Sequence, residues 1–181
     1  MNIQWSKTCF ASLKECWLRS EGRIPDADEI ALVSRYVTIV QIVGSDRFWP
    51  PTSGAKDAFV PALCEVLARL PEKAFEFVES QISFVLEDPT LDALAVNVPL
   101  PEVEDFGRPG GANETSCLIV FYRSAWKLST NGLIGLIAHE LAHSFVGGKD
   151  YEEDEAKTDD KAHEWGFEQE LLCLENEKRT L

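Results

Sequence analysis

The segment His139-Glu140-Leu141-Ala142-His143 constrains this chain more than any other. It continues an apolar run, Leu133-Ile134-Gly135-Leu136-Ile137-Ala138, and carries two further small or apolar residues of its own. Residues four apart share one face of a helix, about one turn apart. A helix this apolar is buried, so two histidines and a glutamate inside it need polar partners. A metal ion supplies them. Two imidazoles at that spacing reach one ion at roughly 2.0–2.1 Å each. The glutamate between them stands near a metal-bound water, whose pKa zinc lowers to about 7. His139 and His143 are therefore expected as zinc ligands, and Glu140 as the general base that passes a proton to a leaving amine. The chain holds only three histidines, so this arrangement is rare by chance.

Catalytic zinc sites usually take three protein ligands and leave the fourth position to water. The third is expected in the acidic run Glu152-Glu153-Asp154-Glu155-Ala156-Lys157-Thr158-Asp159-Asp160. Glu155 and Asp159 are four apart, and Ala156, Ala162, Trp165 and Phe167 provide apolar surface to pack on the histidine helix. Glu155 ranks first as ligand, then Asp159, then Asp160. A carboxylate one turn from the ligand can instead accept the free N–H of a ligand histidine. Glu152, Glu153, Asp154, Glu164 and Glu168 read as solvated. His163 reads as a half-exposed residue of the last helix, and Cys173 as part of the core. Tyr122, Arg123 and Tyr151 read as structural, although any of them near the zinc could steady an oxyanion.

The remaining sequence frames this site. A chain of 181 residues suits one domain with its own core. Residues 1–90 are expected to be helical, and 91–181 to hold a small sheet and the zinc-binding helices. Helices are expected over 5–19, then from an acidic cap at 25–29 to Gly44, although the β-branched run 37–43 could form a strand. Further helices are expected from about Val60 to Leu70, with Pro61 in the first turn, and from Glu72 to about Phe84. Asp88-Pro89 is a stop, and 49–54 a turn. Leu94–Val98 and Cys117–Tyr122 read as strands, with a Pro- and Gly-rich loop over 99–115 between them. Helices over 132–145, ended by Gly147-Gly148, and 152–174 complete a mostly helical α+β fold with a small β-sheet beside the HExxH helix.

The net charge of −14 disfavours a nucleic-acid partner. No apolar run is long enough for a bilayer, and the first residues lack the apolar core of a secretory signal, so no membrane partner is expected. Five scattered cysteines without CxxC spacing read as reduced thiols of a cytoplasmic protein.

Ile137-Ala138-His139-Glu140-Leu141-Ala142-His143, followed by Glu155-Ala156, Asp159, Ala162 and Trp165-Gly166-Phe167, resembles the gluzincin-type zinc metallopeptidases. It particularly resembles small bacterial and phage proteins related to the ImmA/IrrE group. The resemblance covers about residues 116–167. It implies a zincin-like fold, zinc as cofactor, Glu155 as third ligand with Asp159 orienting a histidine, and hydrolysis of a peptide or protein substrate. It also implies an extended peptide pairing with the sheet edge, expected at Cys117–Tyr122. The metzincin pattern is absent, since Val146 and Lys149 stand where it needs Gly and His. The aspzincin pattern fails at His163-Glu164, where it needs Tyr-Gly. Two alternatives remain: a zinc hydrolase acting on a small non-peptide molecule, or a catalytically idle metal-binding regulatory module. The intact Glu140 argues against the second.

Overall fold

The computed structural model describes residues 3–45, 48–49, 53–87, 93–99, 117–146 and 151–181, with side chains described outside 48–49, 53–56, 99 and 151–154. The stops expected at 88–89 and 147–148 and all but Pro99 of the loop expected over 99–115 lie outside the described residues; Pro99 ends a strand instead. The first helical stretch is split. A 3-10 turn at Trp5–Lys7 precedes helix α1, Phe10–Ser20. Helix α2, Ala27–Gly44, starts at Asp26, whose carboxylate accepts from the backbone N–H of Asp28 and Glu29 while Glu29 reaches back to the Asp26 N–H. This reciprocal cap satisfies donors that a helix start leaves open. The run 37–43 stays helical to the end of α2.

After a two-residue strand β1, Phe48–Trp49, helix α3 spans Ser53–Arg69. It begins a full two turns before the expected start at Val60. Pro61 sits inside it and faces solvent, where the carbonyl that loses its N–H partner can be hydrated. Upstream of the proline, Phe59 is fully buried and packs against Phe121, ring centroids 4.7 Å apart.

Helix α4 ends at Gln81 rather than near Phe84. Ile82–Glu87 forms strand β2, with Ile82, Phe84 and Leu86 buried on alternate positions. The N-terminal half is therefore not wholly helical. Strand β3, Ala95–Pro99, and strand β4, Cys117–Tyr122, complete the sheet in the order β1-β2-β4-β3. β4 pairs in parallel with β2 and antiparallel with β3, so the expected edge at 117–122 is interior, and β1 and β3 are the edges.

Helix α5, Thr130–Val146, is buried from Gly132 to Ala142 and packs against α3, β3 and the two helices that follow. The single last helix expected over 152–174 is two: α6, Tyr151–Glu164, and α7, Glu168–Lys178. Gly166 breaks them, at φ +87°. Its N–H bonds to the His163 carbonyl and that of Phe167 to the Ala162 carbonyl, the paired bonds of a Schellman stop. Arg69 secures this corner: its guanidinium bonds Glu170 and the Gly166 carbonyl and lies over the Phe167 ring. Buried apolar residues run without interruption from Leu13 to Leu174, through the helices, the sheet and the histidine helix. The whole is a mostly helical α+β fold with its small sheet beside α5.

Candidate metal centre

α5 presents His139 and His143 on one face, with ring centroids 4.7 Å apart and planes nearly perpendicular. His139 and Glu140 are almost wholly buried, at 6% and 8% exposure. α6 lies against this face. The Glu155 carboxylate meets both rings, one oxygen 3.3 Å from His139 Nε2 and the other 3.1 Å from His143 Nε2. His139, His143 and Glu155 thus offer three ligand atoms within 4.8 Å of one another.

The far nitrogens are occupied. His139 Nδ1 lies 2.9 Å from Asp159 Oδ1, and His143 Nδ1 lies 3.1 Å from the hydroxyl of Thr158, which is fully buried. The hydrogen bond from His139 holds Asp159 below the usual carboxylate range, so it stays an acceptor and His139 Nδ1 is the donor. The Nε2 of His139 thus faces the Glu155 carboxylate, where a cation between them would be bound by both. Two imidazole nitrogens and a carboxylate oxygen, with the ring N–H held from behind, are the donor set of a zinc site. These residues fit the metal.

Glu140, between the two histidines in sequence, is held by β3. One of its carboxylate oxygens accepts from Asn97 Nδ2 of β3 at 2.7 Å, and its backbone carbonyl accepts from the same nitrogen at 3.0 Å. Burial pushes the Glu140 carboxyl up, while the histidines and the Asn97 hydrogen bond pull the other way. Asn97 Oδ1 in turn accepts from the Ser144 hydroxyl at 2.5 Å and the Cys117 thiol at 3.3 Å.

The structure brings Glu155 and Asp159 to the histidines but leaves Asp160 and His163 exposed. Tyr122 is half-buried and Arg123 exposed; the Tyr151 side chain is outside the described residues. Ala156 is exposed, while Ala162, Trp165 and Phe167 are buried. Cys173 is half-buried beside Ser129 and Glu177 rather than in the core. Sequence reasoning missed Thr158 and Asn97. The signal for Asn97 is a lone amide inside the apolar Ala95–Val98 strand; Thr158 has a weaker one, three residues past Glu155 and so on the same helical face. A cavity of about 400 Å³ between α6 and α7 opens beside the site, its wall including His139, Glu155, Asp159, Leu171 and Lys178.

Compared with known proteins, the chain matches no protein-family model, no curated protein and no solved structure.

Proposed function

We propose that the protein is a zinc-dependent metallopeptidase of the gluzincin type, cleaving peptide bonds of a peptide or protein substrate. The observation that carries this reading is the pair of Nε2 atoms converging on Glu155 while both Nδ1 atoms are held from behind. His139, His143 and Glu155 would hold the zinc, and Asp159 and Thr158 would fix the two rings. Zinc bound there would supply Lewis acidity, polarising a carbonyl oxygen and acidifying water. Glu140 takes the proton of the attacking water and hands it to the leaving amine.

The peptide lies extended along β3. This strand is one of the two sheet edges among the described residues, the one beside α5, and Asn97 ties it directly to Glu140. An edge strand offers unpaired backbone groups to an extended chain. The strongly acidic protein suits a neutral or cationic substrate and not a nucleic acid. Among the described residues no helix is long and apolar enough to cross a membrane. The five free cysteines suit the reducing cytoplasm.

A second reading, hydrolysis of a small non-peptide molecule, draws on the cavity between α6 and α7, whose size is in the range of small-molecule sites. Digestion of an unbiased peptide library separates the two. Peptide cleavage that stops on chelation and returns with stoichiometric zinc is the expected result. No cleavage of any library member by the zinc-loaded protein would overturn the peptidase reading.

A further inference from the structure

Strand β3 reads Ala95-Val96-Asn97-Val98 before Pro99, a single polar side chain among apolar neighbours. Val96 and Val98 are each 37% exposed, and by the strand's period of two Asn97 faces the other way, toward α5. There its amide is almost fully used. Both bonds from Nδ2 go to one residue, Glu140: one to the carboxylate and one to the backbone carbonyl. Oδ1 accepts from Ser144, one helical turn beyond Glu140, and from Cys117 on β4. The orientation of the amide follows from these partners. Flipping it would set its oxygen against a carbonyl and a carboxylate, neither of which can donate.

An amide that grips a residue at both its carbonyl and its side chain restricts the rotamers between them. A glutamate otherwise keeps three rotatable bonds, and holding a catalytic group in one geometry is worth far more than the hydrogen bond itself. We propose that Asn97 is the positioning residue for Glu140, holding one carboxylate oxygen so that the other is presented to the proton it must accept. The proposal rests on the peptidase reading. It also gives the edge strand a second role, since the element expected to align the substrate is the one that aligns the base.

The test uses zinc-loaded wild-type protein, Asn97→Ala and the nearly isosteric Asn97→Asp, with a peptide taken from the library digest. Expected for Asn97→Ala is a fall in kcat of about 10- to 100-fold, the scale of losing a group that orients a metal-site residue. KM should stay within about twofold and zinc content unchanged, because Asn97 touches no ligand atom. Asn97→Asp, which sets a second carboxylate against Glu140, should lose at least as much. A readout independent of turnover is hydrogen exchange of the Asn97 side-chain amide, followed by NMR. Its protons should exchange slowly in the wild type, and one of them should exchange faster in Glu140→Ala. Wild-type kcat in both Asn97 variants, or fast exchange in the wild type, would overturn the positioning role while leaving the peptidase reading intact. A wild type that cleaves no peptide would overturn both.

Discussion

At the scale of single residues, the proposed site separates groups that would face the ion from groups that would hold them. Glu155 reaches both Nε2 atoms, whereas Asp159 reaches only the outer nitrogen of His139. Glu155→Ala should therefore abolish tight zinc binding. Asp159→Ala should weaken it by about 10- to 100-fold. A zinc titration of the two variants checks the order, and the reverse order would make Asp159 the ligand. Thr158→Val keeps the shape but removes the hydroxyl on His143 Nδ1. It should also cost zinc affinity, by about 10-fold or more, with folding retained. Glu140→Gln should keep its zinc and lose turnover by roughly 100- to 10,000-fold, since an amide cannot take the proton. The histidines were legible from spacing alone, because i, i+4 fixes their mutual geometry. Glu155 was legible only as one of three acids, because which acid turns inward depends on how α6 rolls against α5. Asn97 was visible only as a lone amide in an apolar strand, and its role was not legible, since its partner lies 43 residues away on another element.

Among elements, the outcome followed whether the deciding contacts were local. The helix 130–146 and the strand 117–122 are written in their own periodicity and residue types, and both form close to their expected bounds. The strand at 82–87 was hidden, because its alternation follows directly on a helix and its stability comes from pairing with residues 117–122. Edge and interior could not be told apart at 117–122 for the same reason: strand order is set by distant neighbours. The break at Gly166 was missed although glycine is the usual residue at such a stop. Close helix packing at α5 gives a sharper prediction. A Cβ at Gly135 would collide with the Glu170 backbone of α7. Backbone cannot step aside as a side chain can, so Gly135→Ala should destabilise the protein by roughly 1–3 kcal/mol or more. Chemical denaturation would show it as a lower midpoint, and an unchanged midpoint would mean the two helices separate freely at this point.

For the whole molecule, the metal would be part of the fold's stability as well as its chemistry. The proposed ligands come from α5 and α6, and α5 is also the element on which α3, α7 and β3 pack. Zinc at about 100 times its dissociation constant adds about 2.7 kcal/mol to a protein that binds it only when folded. For a chain of 181 residues this should raise Tm by roughly 5–10 °C over the chelated form. Arg35 makes a contrasting, metal-free contribution. It is buried between the Trp5 and Phe75 rings and bonds the carbonyls that end α3, so Arg35→Leu should lower Tm equally with and without zinc. The central claim is that His139, His143 and Glu155 hold one zinc ion, and elemental analysis of purified wild type beside His139→Ala tests it most directly. One zinc per chain in the wild type and none in the variant is the predicted result; equal zinc in the two proteins would contradict it.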